Sequence, residues 1–119
     1  MSKIYLAVPY SHSDSKIRES RFIASCIAAG HLINQGHFVY SPITHCHPIA
    51  VRCDLPKDFD FWRDYDLSMI DWADEICILP LDGWEESKGI RGEKEYASKQ
   101  GKRVTVDMSL LDHCLMVMG

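Results

Sequence analysis

The run Ser87-Lys88-Gly89-Ile90-Arg91-Gly92-Glu93 offers an anion-binding backbone and a carboxylate within two helical turns. A helix that starts here presents free backbone N–H groups, which attract anions. Ser87 is placed to cap it and to add a hydroxyl. Gly89 has no side chain, so a ligand can approach the main chain closely. Glu93 lies on the same face four residues on, and helical side chains lean toward the N-terminus, which carries its carboxylate over the gap at Gly89. The same pattern also fits a solvated surface helix, in which Glu93 is as ordinary as the neighbouring i,i+4 pair Glu95 and Lys99.

A second group with chemical potential is His45-Cys46-His47. On an extended strand, His-x-His could begin a metal site, but zinc requires three or four converging ligands, and no second dense ligand cluster accompanies it. We therefore expect no metal and no cofactor, with His45 contacting phosphate or base and His47 capping nearby backbone. Trp84 could stack on a base, against the alternative of a packing residue. Trp62 and Trp72 read as packing residues.

Elements must hold these residues. Lys3 to Val8 is a buried-type strand stopped by Pro9. A helix follows from about Asp14 to Gln35, with Phe22, Cys26, Ala29 and Ile33 as its apolar stripe and Ile23 and Ile27 beside it. His37 to Tyr40 is a strand, and a long irregular stretch, functional or partly helical, continues to about Lys57. A helix runs from about Phe59 to Trp72, a strand from Glu75 to Leu79, a turn over Asp82-Gly83-Trp84, a helix from Ser87 to Gln100 and a strand from Val104 to Val106. The apolar tail Leu110 to Val117 suits helix and strand equally. Strands alternating with helices predict one domain over residues 1–119, an α/β, doubly wound (flavodoxin- or Rossmann-like) parallel sheet of four to five strands flanked by helices. Ligands of such sheets bind beyond the carboxyl ends of the strands, where Pro9 to Ser13, Ser41 to His47 and Pro80 to Ser87 collect.

Composition narrows the ligand. A chain of 119 residues with net charge −4 is one domain without a broad basic surface, which argues against a nucleic-acid polymer and leaves a small molecule. Five cysteines, an odd number without a CxxC pair, indicate a reducing compartment, with Cys26 and Cys77 serving as small hydrophobes. The N-terminal apolar run is too short for a signal peptide or a membrane span, so the expectation is a cytoplasmic protein.

Three segments resemble the nucleoside 2-deoxyribosyltransferase superfamily, in a small branch related to nucleoside 5′-monophosphate N-glycosidases. They are Lys3 to Ser11 followed by Arg18 and Arg21, Asp66 to Asp74 leading into a strand, and Ser87 to Glu93 followed by Ala97 and Gly101 to Val104. Together they span most of the chain. The resemblance implies Glu93 as nucleophile, Asp66 near the base as an aid to proton transfer, and Tyr5 as the group orienting the nucleophile. It also implies a 5′-phosphate at Ser87, where deoxyribosyltransferases usually carry Asp for a free 5′-hydroxyl, and it adds Ser11 and Arg21 to Ser87, Gly89, His45 and Trp84 as substrate- or phosphate-binding residues. Asp66 by itself would equally suit a helix cap or a surface acid. The implied activity is cleavage of the base–sugar bond of a nucleoside monophosphate; base exchange between nucleosides and a non-catalytic nucleotide-binding module are the alternatives. Superfamily members commonly pair, so a homodimer or larger assembly is expected. The segment Ser41 to Pro48 and the Asp82-Gly83-Trp84 turn depart from the superfamily pattern and leave base and sugar preference open.

Overall fold

The computed structural model describes residues 1–119. Its first strand, β1 (Lys3–Ala7), alternates strictly. Ile4 and Leu6, with Val8 beyond them, face one hydrophobic core, while Tyr5 and Ala7 face another. A strand in the middle of a sheet covered on both faces has this property, because side chains two apart share a face.

The chain continues through α1 (Ser15–Asn34), β2 (Phe38–Tyr40), α2 (Pro42–Cys53), α3 (Phe59–Trp72), β3 (Glu75–Ile78), a 3-10 turn at Trp84–Glu86, α4 (Lys88–Lys99), β4 (Arg103–Val106) and α5 (Met108–Met118). The four strands are all parallel in the order β2-β1-β3-β4. Residues of α1, α2 and α5 form the core on one face, and residues of α3 and α4 form the core on the other. The expected doubly wound α/β domain is the one observed. Chain direction reverses between β1, which leads outward to β2, and β3, which leads outward to β4. The crevice beyond the carboxyl ends of β1 and β3 is therefore the topological switch point, where such sheets take ligands.

For the stretch after β2 the helical alternative is the one observed, and the α1 stripe is corrected in part. The stretch after β2 is a regular helix over most of its length. Ser41 has extended backbone at the N-cap, Pro42 occupies the first turn, and the Thr44 hydroxyl donates to Ser41 O at 2.9 Å. Proline at that position loses no hydrogen bond. The helix ends at Asp54, whose φ of 53° is the left-handed conformation that Asp tolerates.

In α1 the buried face is Ala24, Ser25, Ala28, Ala29 and Leu32, whereas Cys26, Ile23 and Ile33 are exposed. Small side chains let a helix lie close to the sheet, so the bulkier residues flank the contact line instead of forming it. Cys77 is buried as expected. The tail is helical because the Asp107 carboxylate caps it, accepting from Leu110 N at 3.0 Å. No helix is long and apolar enough to cross a membrane.

Candidate functional site

At the switch point lies a cavity of about 240 Å³. Its walls come from every element that ends there: Tyr10 and Ser11 after β1, Ile43, Cys46 and His47 of α2, Phe59 and Asp66 of α3, and Ser87, Gly89 and Glu93 around the start of α4. Residues far apart in sequence meet because parallel strands deliver their loops to one edge.

Glu93 is 4 % exposed and Asp66 5 % exposed. Two carboxyl groups buried in one cavity wall are costly unless partnered or neutral. Tyr5, fully buried on the face of β1 that looks toward α3 and α4, donates its hydroxyl to Glu93 Oε2. Asp66 Oδ1 has no partner. Burial pushes the Asp66 carboxyl up to about 7. Burial, and secondarily the charge of Asp66, push Glu93 up to about 8, with the Tyr5 hydrogen bond pulling the other way. Tyr5 itself is raised well above its ordinary value by burial and then by Glu93, so it stays a hydrogen-bond donor. The arrangement can hold a proton near neutrality on one carboxyl and present the other as an oriented nucleophile.

Asp66 is neither a helix cap nor a surface acid. It sits within α3 on the buried face with Leu67 and Ile70. Ser87 caps α4, its Oγ accepting from Ile90 N at 3.2 Å. The hydroxyl proton is left free for a ligand at the cavity, since an accepting hydroxyl keeps its donor.

Gly92 matters for packing. A Cβ there would stand 2.6 Å and 2.8 Å from Cε2 and Cζ of Phe59, a cavity wall residue, whereas one at Gly89 would meet the same ring no closer than 3.5 Å. In Gly92→Ala the ring must swing, and the open direction is the cavity. The expected result is ligand affinity weakened by about tenfold, with an overpacking cost of about 1–3 kcal/mol partly offset by the roughly 1 kcal/mol helix preference of Ala over Gly. Titration calorimetry beside thermal melting checks this; a large loss of stability with unchanged affinity would show that the ring does not yield.

Three of the expected ligand contacts do not line the cavity. Arg21 ties the loops together, donating from Nη1 to Ser11 O at 3.1 Å and from Nη2 to Asp82 O at 2.9 Å. It positions the β1–α1 loop against the β3–α4 loop. Trp84 packs against the core beneath α3 and α4. His45 bonds Tyr65 Oη at 2.8 Å and stacks on its ring. Because His45 and His47 lie two apart on a helix, they diverge by more than half a turn and cannot ligate one ion. No group of three or more His, Cys, Asp or Glu side chains is placed to hold a metal.

Sequence reasoning missed Phe59, Trp62, Lys57 and Tyr10 as cavity residues. The signal for α2 was present: Ile43, Cys46, His47 and Ala50 follow i, i+3, i+4, i+7.

An α/β domain with a buried carboxyl pair at its switch point is the class that fold and site define. The chain belongs to the family described as Domain of unknown function (DUF1937), whose model matches residues 2–109. No curated protein matches it.

Proposed function

We propose that the protein cleaves the base–sugar bond of a nucleoside 5′-monophosphate, with Glu93 as nucleophile. One observation carries the reading: the buried Glu93 carboxyl, bonded by Tyr5, shares a cavity wall with the unpartnered Asp66. The resemblance of these same residues to the nucleoside 2-deoxyribosyltransferase superfamily supports it, as do the positions of Glu93, Asp66, Ser87 and Gly89 in the walls of one cavity.

Glu93 attacks the anomeric carbon, forming an ester as the bond to the base breaks. The departing electron pair goes to the base nitrogen, which takes a proton from Asp66. Water then resolves the ester, returning the electron pair to Glu93. Two carboxyl groups with separate roles are what cleavage with retention requires. Tyr5 orients Glu93 and stabilises its charged form. The phosphate is placed at the start of α4, where free N–H groups, the Ser87 hydroxyl and the open backbone at Gly89 meet. The Lys88 ammonium stands nearby, paired with Asp60 at 2.8 Å across the exposed rim. The test is incubation with a panel of ribo- and deoxyribonucleoside monophosphates while monitoring free base. Release from none of them contradicts the reading.

Ser87→Asp separates phosphate recognition from simple capping. A negative charge beside a negative ligand removes a charged hydrogen bond worth about 1.5–3 kcal/mol and adds repulsion. The expected outcome is a fall of roughly tenfold to a few hundredfold in kcat/KM on the monophosphate. The unphosphorylated nucleoside loses less or gains, because the new carboxylate accepts from its free 5′-hydroxyl. Asp caps as well as Ser, so equal effects on nucleotide and nucleoside refute phosphate recognition by this residue.

A further inference from the structure

A second hydrogen-bonded chain reaches the same cavity from the opposite sheet face and has no part in the chemistry described so far. His47 of α2 is 9 % exposed. Its Nε2 lies 2.9 Å from Glu19 Oε2, and its Nδ1 is bonded to the Tyr10 hydroxyl. A carboxylate can only accept, so Nε2 carries the hydrogen, and Nδ1 is then the acceptor for Tyr10 O–H. Phe22 stacks on the imidazole at 4.5 Å between centroids, and the Tyr10 ring meets it edge-on at 5.3 Å. The ring is thereby locked in one orientation. The charged and titratable groups around it are Glu19 and Arg18 from α1, Tyr10 from the β1–α1 loop and its own neighbour Cys46.

A buried histidine with both nitrogens bonded can be merely structural. Two features point further. Tyr10 and His47 both line the cavity that holds Glu93 and Asp66. The other end of the chain, the Glu19 side chain, is 56 % exposed, so the chain runs from solvent to the cavity. Carboxylate, imidazole and hydroxyl in this order form the arrangement in which the imidazole withdraws the hydroxyl's proton, which the hydroxyl can replace from a bound water. Burial raises the Tyr10 phenol, against an opposing effect of Arg18. The phenol therefore acts as a conduit, taking one proton as it passes on another.

We propose that Glu19, His47 and Tyr10 activate the water that resolves the sugar–Glu93 ester, which makes the site a hydrolase and not a base-exchanging transferase. The proposal rests on the glycosidase reading above. Water oxygen bonds to the anomeric carbon as the ester C–O bond breaks, and the electron pair of that bond returns to Glu93. The water proton goes to the Tyr10 oxygen, and the Tyr10 proton goes to His47 Nδ1. The resulting imidazolium is held by Glu19 and gives its extra proton to solvent, while Asp66 regains one from water. One water is consumed, and free base and free sugar phosphate leave.

The experiment is rapid-quench analysis of base release by the intact protein, using the monophosphate that wild type cleaves best. Variants are Tyr10→Phe, His47→Gln and Glu19→Gln, each checked by circular dichroism. In the first two, a burst of base equal to the enzyme concentration persists, while steady-state turnover falls about 10²- to 10³-fold. The sugar adduct then accumulates on Glu93. Azide, a nucleophile with no proton to lose, restores turnover and yields glycosyl azide. Glu19→Gln, at an exposed position, keeps the fold and lowers steady-state turnover about tenfold; it decides the matter if the buried variants unfold. Nitrogen NMR of His47 in the wild type shows the Nε2–H tautomer. Unchanged steady-state turnover in the variants, or a burst lost together with it and no rescue by azide, overturns the water-activation role while leaving Glu93 chemistry standing. Absence of base release by the wild type overturns both.

Discussion

Glu93→Gln is expected to abolish turnover and stabilise the protein at the same time. Loss of a covalent nucleophile typically costs several orders of magnitude in rate, and we expect a fall of at least about 10⁴-fold in kcat with the substrate still bound. The stability change has the opposite sign. The Glu93 carboxyl is raised from its ordinary 4.5 to about 8. Between those values the folded state keeps a proton that the unfolded state has released. Native stability therefore decreases as pH rises through this window, and below it the group has no effect. Gln carries no such penalty and still accepts the Tyr5 hydroxyl. The gain in unfolding free energy is accordingly near zero at pH 4 and grows to on the order of 2–4 kcal/mol by pH 9. Urea denaturation of both proteins at these pH values checks the sign; equal stability throughout would mean that the carboxyl is solvated. A Gln variant retaining more than about a tenth of the activity would exclude Glu93 as nucleophile.

Asp66→Asn carries the second large effect. Burial raises Asp66 to about 7 and Glu93 to about 8, so near neutrality the pair shares one proton, and the reactive form is the one that carries it on Asp66 with Glu93 ionised. Asn has the same shape and no acidic proton. General acid catalysis typically contributes 10²–10⁴-fold, and kcat should fall by about that factor on substrates with a poor leaving base. Two interacting carboxyl groups titrate as a pair, so the wild-type pH–rate profile should be a bell centred near neutrality, well above the usual carboxylate range. In Asp66→Asn the alkaline limb, which reports loss of the donated proton, should disappear, leaving a single rise with pH as Glu93 ionises. A nucleobase whose departure needs no protonation should be cleaved by Asp66→Asn almost as fast as by wild type. An unchanged alkaline limb would assign the proton to another group.

The sequence makes legible those elements whose burial follows from local spacing, and hides those whose contacts depend on the tertiary fold. β1, β3 and the span of α3 follow from short apolar runs and helical spacing, and these hold because they report burial directly. α2 was obscured by Ser41, Pro42 and Pro48, which read as breakers, although Pro42 sits in the one helical turn that tolerates it. In α1 the apolar stripe holds at Ala29 and, at its flanks, Phe22 and Ile27, whereas close packing against the sheet selects Ala24 and Ala28 over Cys26, Ile23 and Ile33.

Within the site, Glu93 over Gly89 could be argued from helix geometry, whereas Asp66 and Tyr5 entered only through the superfamily resemblance. The Tyr10–His47–Glu19 chain was not visible, because it joins three elements whose contact depends on the tertiary fold. Arg21 and Trp84 illustrate the converse case. Residue types suited to ligand binding are used here to brace loops and fill a core.

The most direct test is covalent trapping. The protein is incubated with a 2-fluoro-sugar analogue of the best monophosphate substrate, on which ester breakdown is slower than ester formation, and is then digested for peptide mass spectrometry. The expected result is one sugar phosphate per chain, attached to Glu93 and absent from Glu93→Gln. Base release by the wild type with no adduct, or with the adduct on another residue, would contradict it.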